Sequence, residues 1–285
     1  MNTDSLKSDV LPVDNRQARQ LTRQQSITEL VMSQGSVRID DLAERFEISL
    51  MTIHRDLDEL VNRGLLRKSR GIASAAPTSL IEASDVYRSS RQAAEKSAIA
   101  KAAIKYVEPG HAIFLDDSTT VLQMASLLPS KVPLTVITNS LTLMNELKDV
   151  RDLTLLALGG QHYSWCNAFM GHMTNNEIAG LRADTLIMSM AAITDDIVFH
   201  QSPDMIDTKK AMFDSASRRI LLMDHSKLQR RALHSFVPLS DFDVVIFDDG
   251  TPAEHLDRMR HKGIDIVVAP VHGGARDSDE QTSAL

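Results

Sequence analysis

The spacing of apolar residues changes character near residue 110, and that change divides the chain. Before it, apolar positions recur at helical spacing. Ile27, Leu30 and Val31 predict a helix over 22–32, ended by Gln34-Gly35. Leu42, Ala43 and Phe46 predict a short second helix, capped by Asp40 or Asp41 and preceded by an extended piece at Val37 and Ile39. "EIS" at 47–49 makes a tight turn into a third helix, on which Ile53, Leu57, Leu60 and Val61 form the apolar face. Leu65 and Leu66, followed by a basic run to Arg70, predict a hairpin. Helix, short helix, turn, longer helix and hairpin follow one another in the order of a winged helix-turn-helix.

"GIASAAPTS" (71–79) breaks the pattern as a small-residue linker, and an Ala-rich helix follows, closed by Pro109-Gly110. From residue 112 the apolar runs are short and continuous: "AIFLD", "LTVIT", "LTLLAL", "DTLIMSM", "RILLMD", "DVVIFD" and "IDIVVA". Runs of this kind suit strands buried on both faces, and their alternation with helical segments predicts a doubly wound, mostly parallel α/β domain. The fold class expected is therefore α/β with an N-terminal winged helix-turn-helix. Its predicted parts are a disordered tail over 1–18, the winged domain over 19–72 and a linker over 73–90. An α/β effector domain over 91–271 and a second disordered tail over 272–285 complete the chain.

Composition adds compartment and charge. The single cysteine, Cys166, excludes an intrachain disulfide and fits a reducing compartment. The first twenty residues are polar, unlike a secretory signal, and no apolar stretch reaches the ~20 residues of a membrane helix. A cytoplasmic protein without membrane contact is expected. The net charge of −7 is uneven: residues 1–75 hold eleven basic and eleven acidic side chains, so the whole excess lies in the remainder. The acidity thus says nothing against nucleic-acid binding by the first part.

The candidate chemistry falls in two places. On the third helix Arg55 lies opposite the apolar face with Met51 and Thr52 beside it, and Ser49 is placed to cap the N-terminus. Arginine can grip guanine in the major groove with two hydrogen bonds, and Thr or Met can meet a thymine methyl. His54, Arg63, Arg67, Lys68 and Arg70 are candidates for phosphate contacts. In the second part, three polar loops follow successive strands: Asp116, Ser118, Thr119 and Thr120; then Thr138, Asn139 and Ser140; then Gly159 and Gly160. With Lys209, Asp224 and Lys227 they outline an anion site at strand carboxyl ends. His162, Cys166 and His172 are zinc-type ligands but lack a fourth partner and regular spacing. No Ser/His/Asp set and no glycine-rich nucleotide motif stands out, so no catalytic residue, metal or cofactor is assigned.

"GSVRIDDLAERFEISLMTIHRDLDELVNRGLLRK" resembles the N-terminal signature of DeoR-type bacterial transcriptional regulators. The shared features are Ser49, Thr52, Ile53, Arg55, Asp56, Leu57, Leu60, Gly64 and Leu66. "EKSAIAKAA", "FLDDSTT", "TVITNS", "LGG", "TKKAMFDSA" and "LLMDHSKL" follow in the family's order, so the resemblance runs from about Arg19 to about Pro270. It implies a repressor of a carbohydrate or related operon that binds operator DNA as a dimer or tetramer. A sensor domain similar to sugar-phosphate isomerases and CoA transferases would bind a phosphorylated sugar or related metabolite. The alternative is an isomerase-like enzyme with an accessory DNA-binding domain. Four departures from the family pattern carry expectations of their own. Ser118 stands where glycine is usual, which is expected to alter the backbone or the ligand's approach, and "LIMSMAAIT" lacks the usual glycines, which is expected to narrow the pocket floor. His54 replaces an arginine, and "KSRGIA" is an imperfect His-Gly-Gly wing.

Overall fold

The computed structural model describes residues 15–62, 65–75, 88–89 and 91–271. The chain divides into two compact units, Met1–Ile81 and Glu82–Leu285. No helix among the described residues is long and apolar enough to cross a membrane.

The first unit contains α1 (Asn15–Gln34), β1 (Ser36–Arg38), α2 (Ile39–Arg45), α3 (Leu50–Asn62), β2 (Leu66–Ser69) and β3 (Ile72–Ala75). The three strands form an antiparallel sheet in the order β1-β3-β2. Ile27, Val31, Ile39, Leu42, Ile53, Leu57 and Leu60 fill its core, each contributing about 1.5–3 kcal/mol by burial. α2 stops at a Schellman-type cap. Glu47 takes a left-handed φ of 52°, Ile48 N–H donates to Ala43 O and Glu47 N–H donates to Glu44 O. This is a winged helix-turn-helix.

Four local expectations need correction. α1 begins at Asn15, within the stretch read as a tail, because Gln, Arg and Ala favour helix even without an apolar stripe. α2 begins at Ile39, with Asp40 and Asp41 inside its first turn and neither capping it; Ile39 N–H donates instead to Gly71 O, 2.9 Å away in the wing. Ile39 is accordingly helical, and the extended piece ends at Arg38. The wing's second strand, β3, occupies residues read as linker. Arg70 and Gly71 have φ of 49° and 76°, the two left-handed positions of a type I′ hairpin turn, so the chain doubles back there. Arg63 and the tail residues 1–14 and 272–285 lie outside the described residues, as do 76–87 of the predicted linker.

The second unit is a three-layer α/β structure. Its sheet comprises β4 (Ala112–Leu115), β5 (Leu134–Thr138), β6 (Leu153–Ala157), β9 (Ala183–Ser189), β12 (Ala216–Met223), β14 (Val244–Asp248) and β15 (Ile266–Ala269). All neighbours are parallel, in the order β15-β14-β12-β9-β4-β5-β6. Successive residues of a strand enter opposite cores. Phe114, Leu186, Leu221 and Val245 pack on one face with Ile178 of α7 (His172–Ala179), Met212 of α8 (Pro203–Asp214) and Leu256 of α9 (Ala253–His261). Ile113, Ile187, Ile220 and Ile246 pack on the other with Ile99 of α4 (Ala93–Ala103), Val121 of α5 (Thr119–Leu122) and Leu143 of α6 (Leu141–Leu147). Double-faced burial explains why these strands read as unbroken apolar runs; β6, at an edge, stays partly exposed.

Two antiparallel pieces carry no such signature. β7 (Gln161–Tyr163) pairs with β8 (Ala168–Met170). β10 (Ala192–Thr194), β11 (Ile197–His200) and β13 (His234–Pro238) form a small sheet, with Asp195 and Asp196 at positive φ in the β10–β11 turn. Chain progression reverses between β4 and β9: β4 leads outward to β5 and β6, and β9 leads the other way to β12. Ligands of open parallel sheets settle at such a point, beyond the strand carboxyl ends.

Candidate nucleic-acid interface and candidate effector site

α3 is held by its apolar stripe and by one buried acid. Ile53, Leu57 and Leu60 are fully buried, as the spacing predicts, and so is Asp56. Asp56 Oδ2 accepts from Arg23 Nε at 2.6 Å and Oδ1 accepts from Gln24 Nε2 at 3.2 Å, both on α1. Helical spacing sets Asp56 at the border of the apolar stripe, where a charge would ordinarily face solvent. Its position beside Leu60 on the helical wheel was compatible with burial once a partner from α1 arrived.

The opposite face is open. Met51 is 83% exposed, and His54 and Arg55 are exposed too. Ser49 Oγ accepts from Thr52 N–H at 3.3 Å, the geometry of an N-cap, and lies 2.9 Å from Thr52 Oγ1, so the Thr52 hydroxyl is partly committed to that cap. Arg55, Arg67 and Arg70 make no ion pair among the described residues. Lys68 is different: its ammonium donates to Asp58 and to His54 Nδ1, at 3.2 Å for the latter. Wing and helix are thereby tied together, and His54, accepting at Nδ1, keeps its proton on Nε2.

At the β4/β9 reversal lies a narrow cavity that opens to solvent; its empty space, the open part included, is about 460 Å³. From the predicted set, Ser118, Thr119, Thr120, Lys209 and Lys227 line it. Arg88, His200, Gln201 and Arg230 line it as well, with Ser189, Met190 and Ala191 closing the β9 side. Ser189, Met190 and Ala191 belong to the glycine-poor stretch "LIMSMAAIT". Ser118 has φ −74° and ψ 144°, an ordinary extended conformation, and its Oγ caps α5 by accepting from Val121 N–H at 3.3 Å. Ser118 thus needs no conformation reserved for glycine.

Asp116 organises the base of the cavity. Its Oδ1 accepts from Ser118 N–H at 3.0 Å, and its Oδ2 accepts from Ser189 N–H at 2.9 Å and from Lys209. Lys209 also lies 3.5 Å from Asp117 Oδ1. Burial alone lowers the Lys209 pKa, but Asp116 and Asp117 more than reverse it, so this lysine stays charged. Burial raises the Asp117 pKa against the pull of Lys209. Asp224 does not line the cavity; it accepts from Ser226 N–H and Oγ, and despite its burial Lys227 and Ser226 hold its carboxyl below the usual range. Burial pulls Lys227 down to about 7 and Lys96, which donates to Thr119 Oγ1 at 3.0 Å, down to about 8. His200 is kept neutral by burial and by the positive charges of Lys209, Arg88 and Lys227; its Nδ1 accepts from Ser202 N–H at 3.1 Å, leaving the proton on Nε2.

The other two predicted loops are used elsewhere. Thr138 Oγ1 accepts from Ser140 N–H, Ser140 Oγ caps α6, and Asn139 Nδ2 donates to Phe169 O on β8. Gly159 O accepts from Thr174 Oγ1 at 2.6 Å, anchoring α7. Gly160 has φ +138°, and a Cβ there would lie 2.1 Å from Thr174 Oγ1 and 3.1 Å from Met170 O. Gly160→Ala is therefore expected to cost about 2–3 kcal/mol in urea denaturation, whereas Gly159→Ala, with open space around it, is expected to stay within about 0.5 kcal/mol. Equal midpoints for the two variants would remove the steric argument.

His162, Cys166 and His172 go to separate partners: Asn167 Oδ1, Tyr163 O and Asn176 Nδ2. Among the described residues no three His, Cys, Asp or Glu side chains stand together as metal ligands. Arg88 and His200 escaped the sequence reading for different reasons. Arg88 lies in the predicted linker, and His200 ends a strand of the small sheet that had no pattern to mark it.

Residues 23–78 match the family model described as the DeoR-like helix-turn-helix domain, and residues 91–249 match the DeoR C terminal sensor domain. The putative aga operon transcriptional repressor of Escherichia coli O157:H7 is 28% identical over 86% of this chain and 93% of its own length. Transcriptional repressor AccR of Agrobacterium fabrum is 32% identical, covering 80% of this chain and 90% of its own. The glycerol-3-phosphate regulon repressor of Escherichia coli K12 is 30% identical, covering 82% and 93%.

Proposed function

This chain belongs to the DeoR family of transcriptional regulators, and from that membership we propose that it is a repressor of a carbohydrate-related operon, released or engaged by a phosphorylated sugar or a closely related metabolite. The α3 face with Arg55, Met51 and Thr52 enters the major groove of operator DNA, and Arg67 and Arg70 of the wing meet phosphates. Lys68 and His54, tied to each other, contribute a fixed rim beside them. A homo-oligomer, most simply a dimer reading two half-sites, works in the cytoplasm.

One observation carries the effector class. Five cationic side chains at or beside the cavity, Arg88, Lys96, Lys209, Lys227 and Arg230, outnumber three carboxylates, Asp116, Asp117 and Asp224. That surplus suits one phosphate dianion, with the hydroxyls of Ser118, Thr119 and Thr120 as further partners. The site is read as a sensor rather than an isomerase centre. Asp116 already accepts three hydrogen bonds and Asp224 two, so neither is free to shuttle substrate protons.

The test compares sugar monophosphates with the same sugars unphosphorylated. Monophosphates alone are expected to raise the melting temperature, because a ligand of the native state stabilises it. A panel in which no phosphorylated compound shifts melting sinks the reading. Lys227 adds a pH signature. Near pH 7 it is about half charged, and a neighbouring dianion raises its pKa, so binding takes up roughly half a proton per site. Affinity should fall as pH rises from about 7 to 9, since the lysine loses its charge while the phosphate, with its second pKa near ~6, keeps both of its own. Calorimetry in two buffers of different ionisation enthalpy reads this uptake directly, and buffer-independent heats would exclude Lys227 from the contact.

A further inference from the structure

The cavity is partly built from the chain that follows the DNA-binding unit. Only residues 76–87 separate β3 from Arg88, and Arg88 lines the cavity. The Arg88 carbonyl accepts from Lys96, and the same ammonium donates to Thr119 Oγ1, another cavity residue. Gln92 precedes α4 with a left-handed φ of 51°, a conformation that a non-glycine residue keeps only where neighbours hold it. Its Nε2 lies 3.1 Å from His225 Nε2. His225 opens the 3-10 segment 225–229 that carries Lys227, and its Nδ1 is fixed 2.6 Å from Asp248 Oδ2. With Nδ1–H given to Asp248, Nε2 accepts from Gln92. Arg88 thus lines the cavity itself, Thr119 is bonded directly to Lys96, and Lys227 shares its 3-10 segment with the His225 that meets Gln92.

We infer that Arg88, Gln92 and Lys96 form the coupling element through which an anion in the cavity changes the affinity for DNA, with Arg88 as an anion contact and Gln92 as a positioning residue. The inference rests on the sensor reading above. An anion drawing on Arg88, Thr119 and Lys227 engages one side chain of this segment, the hydroxyl that accepts from Lys96, and the 3-10 stretch whose His225 meets Gln92. Its binding energy therefore differs between the bent and released arrangements, which is the condition for any ligand to shift an equilibrium.

The experiment uses the full chain, a duplex from upstream of its own gene and inorganic phosphate as probe, with ionic strength held by potassium chloride because DNA affinity depends on salt. Phosphate binding is measured separately by calorimetry. In the wild type, saturating phosphate is expected to change DNA affinity by about 5- to 150-fold, the usual range of such coupling. Gln92→Asn, which tolerates the left-handed backbone but is too short to reach His225, should bind phosphate within about threefold of wild type and lose most of that change. Arg88→Ala should bind phosphate about tenfold more weakly and show less than about a twofold change in DNA affinity once saturated. Arg88→Lys should recover part of both. A wild type that binds no phosphate overturns the sensor reading and this inference with it. A wild type that binds phosphate with no change in DNA affinity overturns the coupling alone, as does full coupling retained in Gln92→Asn and Arg88→Ala.

Discussion

Arg55→Ala is expected to weaken binding to the specific operator by about 10- to 100-fold, the 1–3 kcal/mol of one bidentate contact to a base. Arg55 is exposed on α3, unpaired among the described residues, and directed away from the Ile53, Leu57 and Leu60 stripe. Truncating it should leave the stability of the unit almost unchanged, so a loss of affinity reports on recognition. Arg55→Lys should not restore it, because an ammonium cannot reproduce the planar two-pronged donor. Arg67→Ala gives the contrast: its expected effect is a uniform loss across DNA sequences and a salt slope shallower by about 0.9. Fluorescence anisotropy on specific and scrambled duplexes at several salt concentrations measures both. Equal affinity of wild type and Arg55→Ala for the specific duplex would falsify the placement of α3 in the groove.

Asp116→Ala is expected to lower the stability of the second unit by about 3–5 kcal/mol, the cost of leaving a buried charge without its partner. Lys209 is only 4% exposed in its side chain and would keep Asp117 alone, 3.5 Å away. The amides of Ser118 and Ser189 would lose their acceptor in the same step. Lys209→Met together with Asp116→Ala should recover part of the loss, because the stranded charge is then gone. Urea denaturation at pH 7 measures both variants. The deficit should also shrink at high pH, as Lys209 without Asp116 loses the partner that most raises its pKa and sheds its proton earlier. A single variant as stable as wild type would show that the Asp116–Lys209 pair does not hold α8 to the end of β4.

Legibility in the sequence followed the physical cause of each element. Seven apolar runs gave the seven strands of the parallel sheet: burial on both faces leaves the inner strands without polar alternation, and the edge strand β6 keeps a leucine-rich run although it is partly exposed. The winged unit was legible for a related reason: Ile53, Leu57 and Leu60 repeat at helical spacing and the turn residues punctuate them. The strands of the β7–β8 hairpin and of the small β10-β11-β13 sheet were missed, being three to five residues long and only half buried. The Asp195-Asp196 pair was their one local signal, as a turn that accepts two left-handed residues.

The candidate site was legible only in part. Ser118, Thr119, Thr120, Lys209 and Lys227 reach the cavity, but Thr138, Asn139, Ser140, Gly159 and Gly160 sit on equally polar strand ends and serve the β7–β8 hairpin and α7 instead. Local chemistry cannot separate these cases, since a hydroxyl that caps a helix and one that faces a ligand look alike in sequence. What separates them is strand order. β9 inserts beside β4, brings Ser189 within 2.9 Å of Asp116, and leaves β5 and β6 on the far side.

Sequence by itself determined the two units, the face of α3 that is buried and the strands that make the sheet, because periodicity and burial act over a few residues at a time. Tertiary structure alone decided that Asp56 is a buried anchor, that Lys68 is tied to α3, and that Arg88 and His200 face the cavity. Asp56 and Lys68 depend on partners at least ten residues away along the chain, and Arg88 and His200 on cavity neighbours from other strands and helices, and no local pattern encodes which distant charge or hydroxyl will arrive.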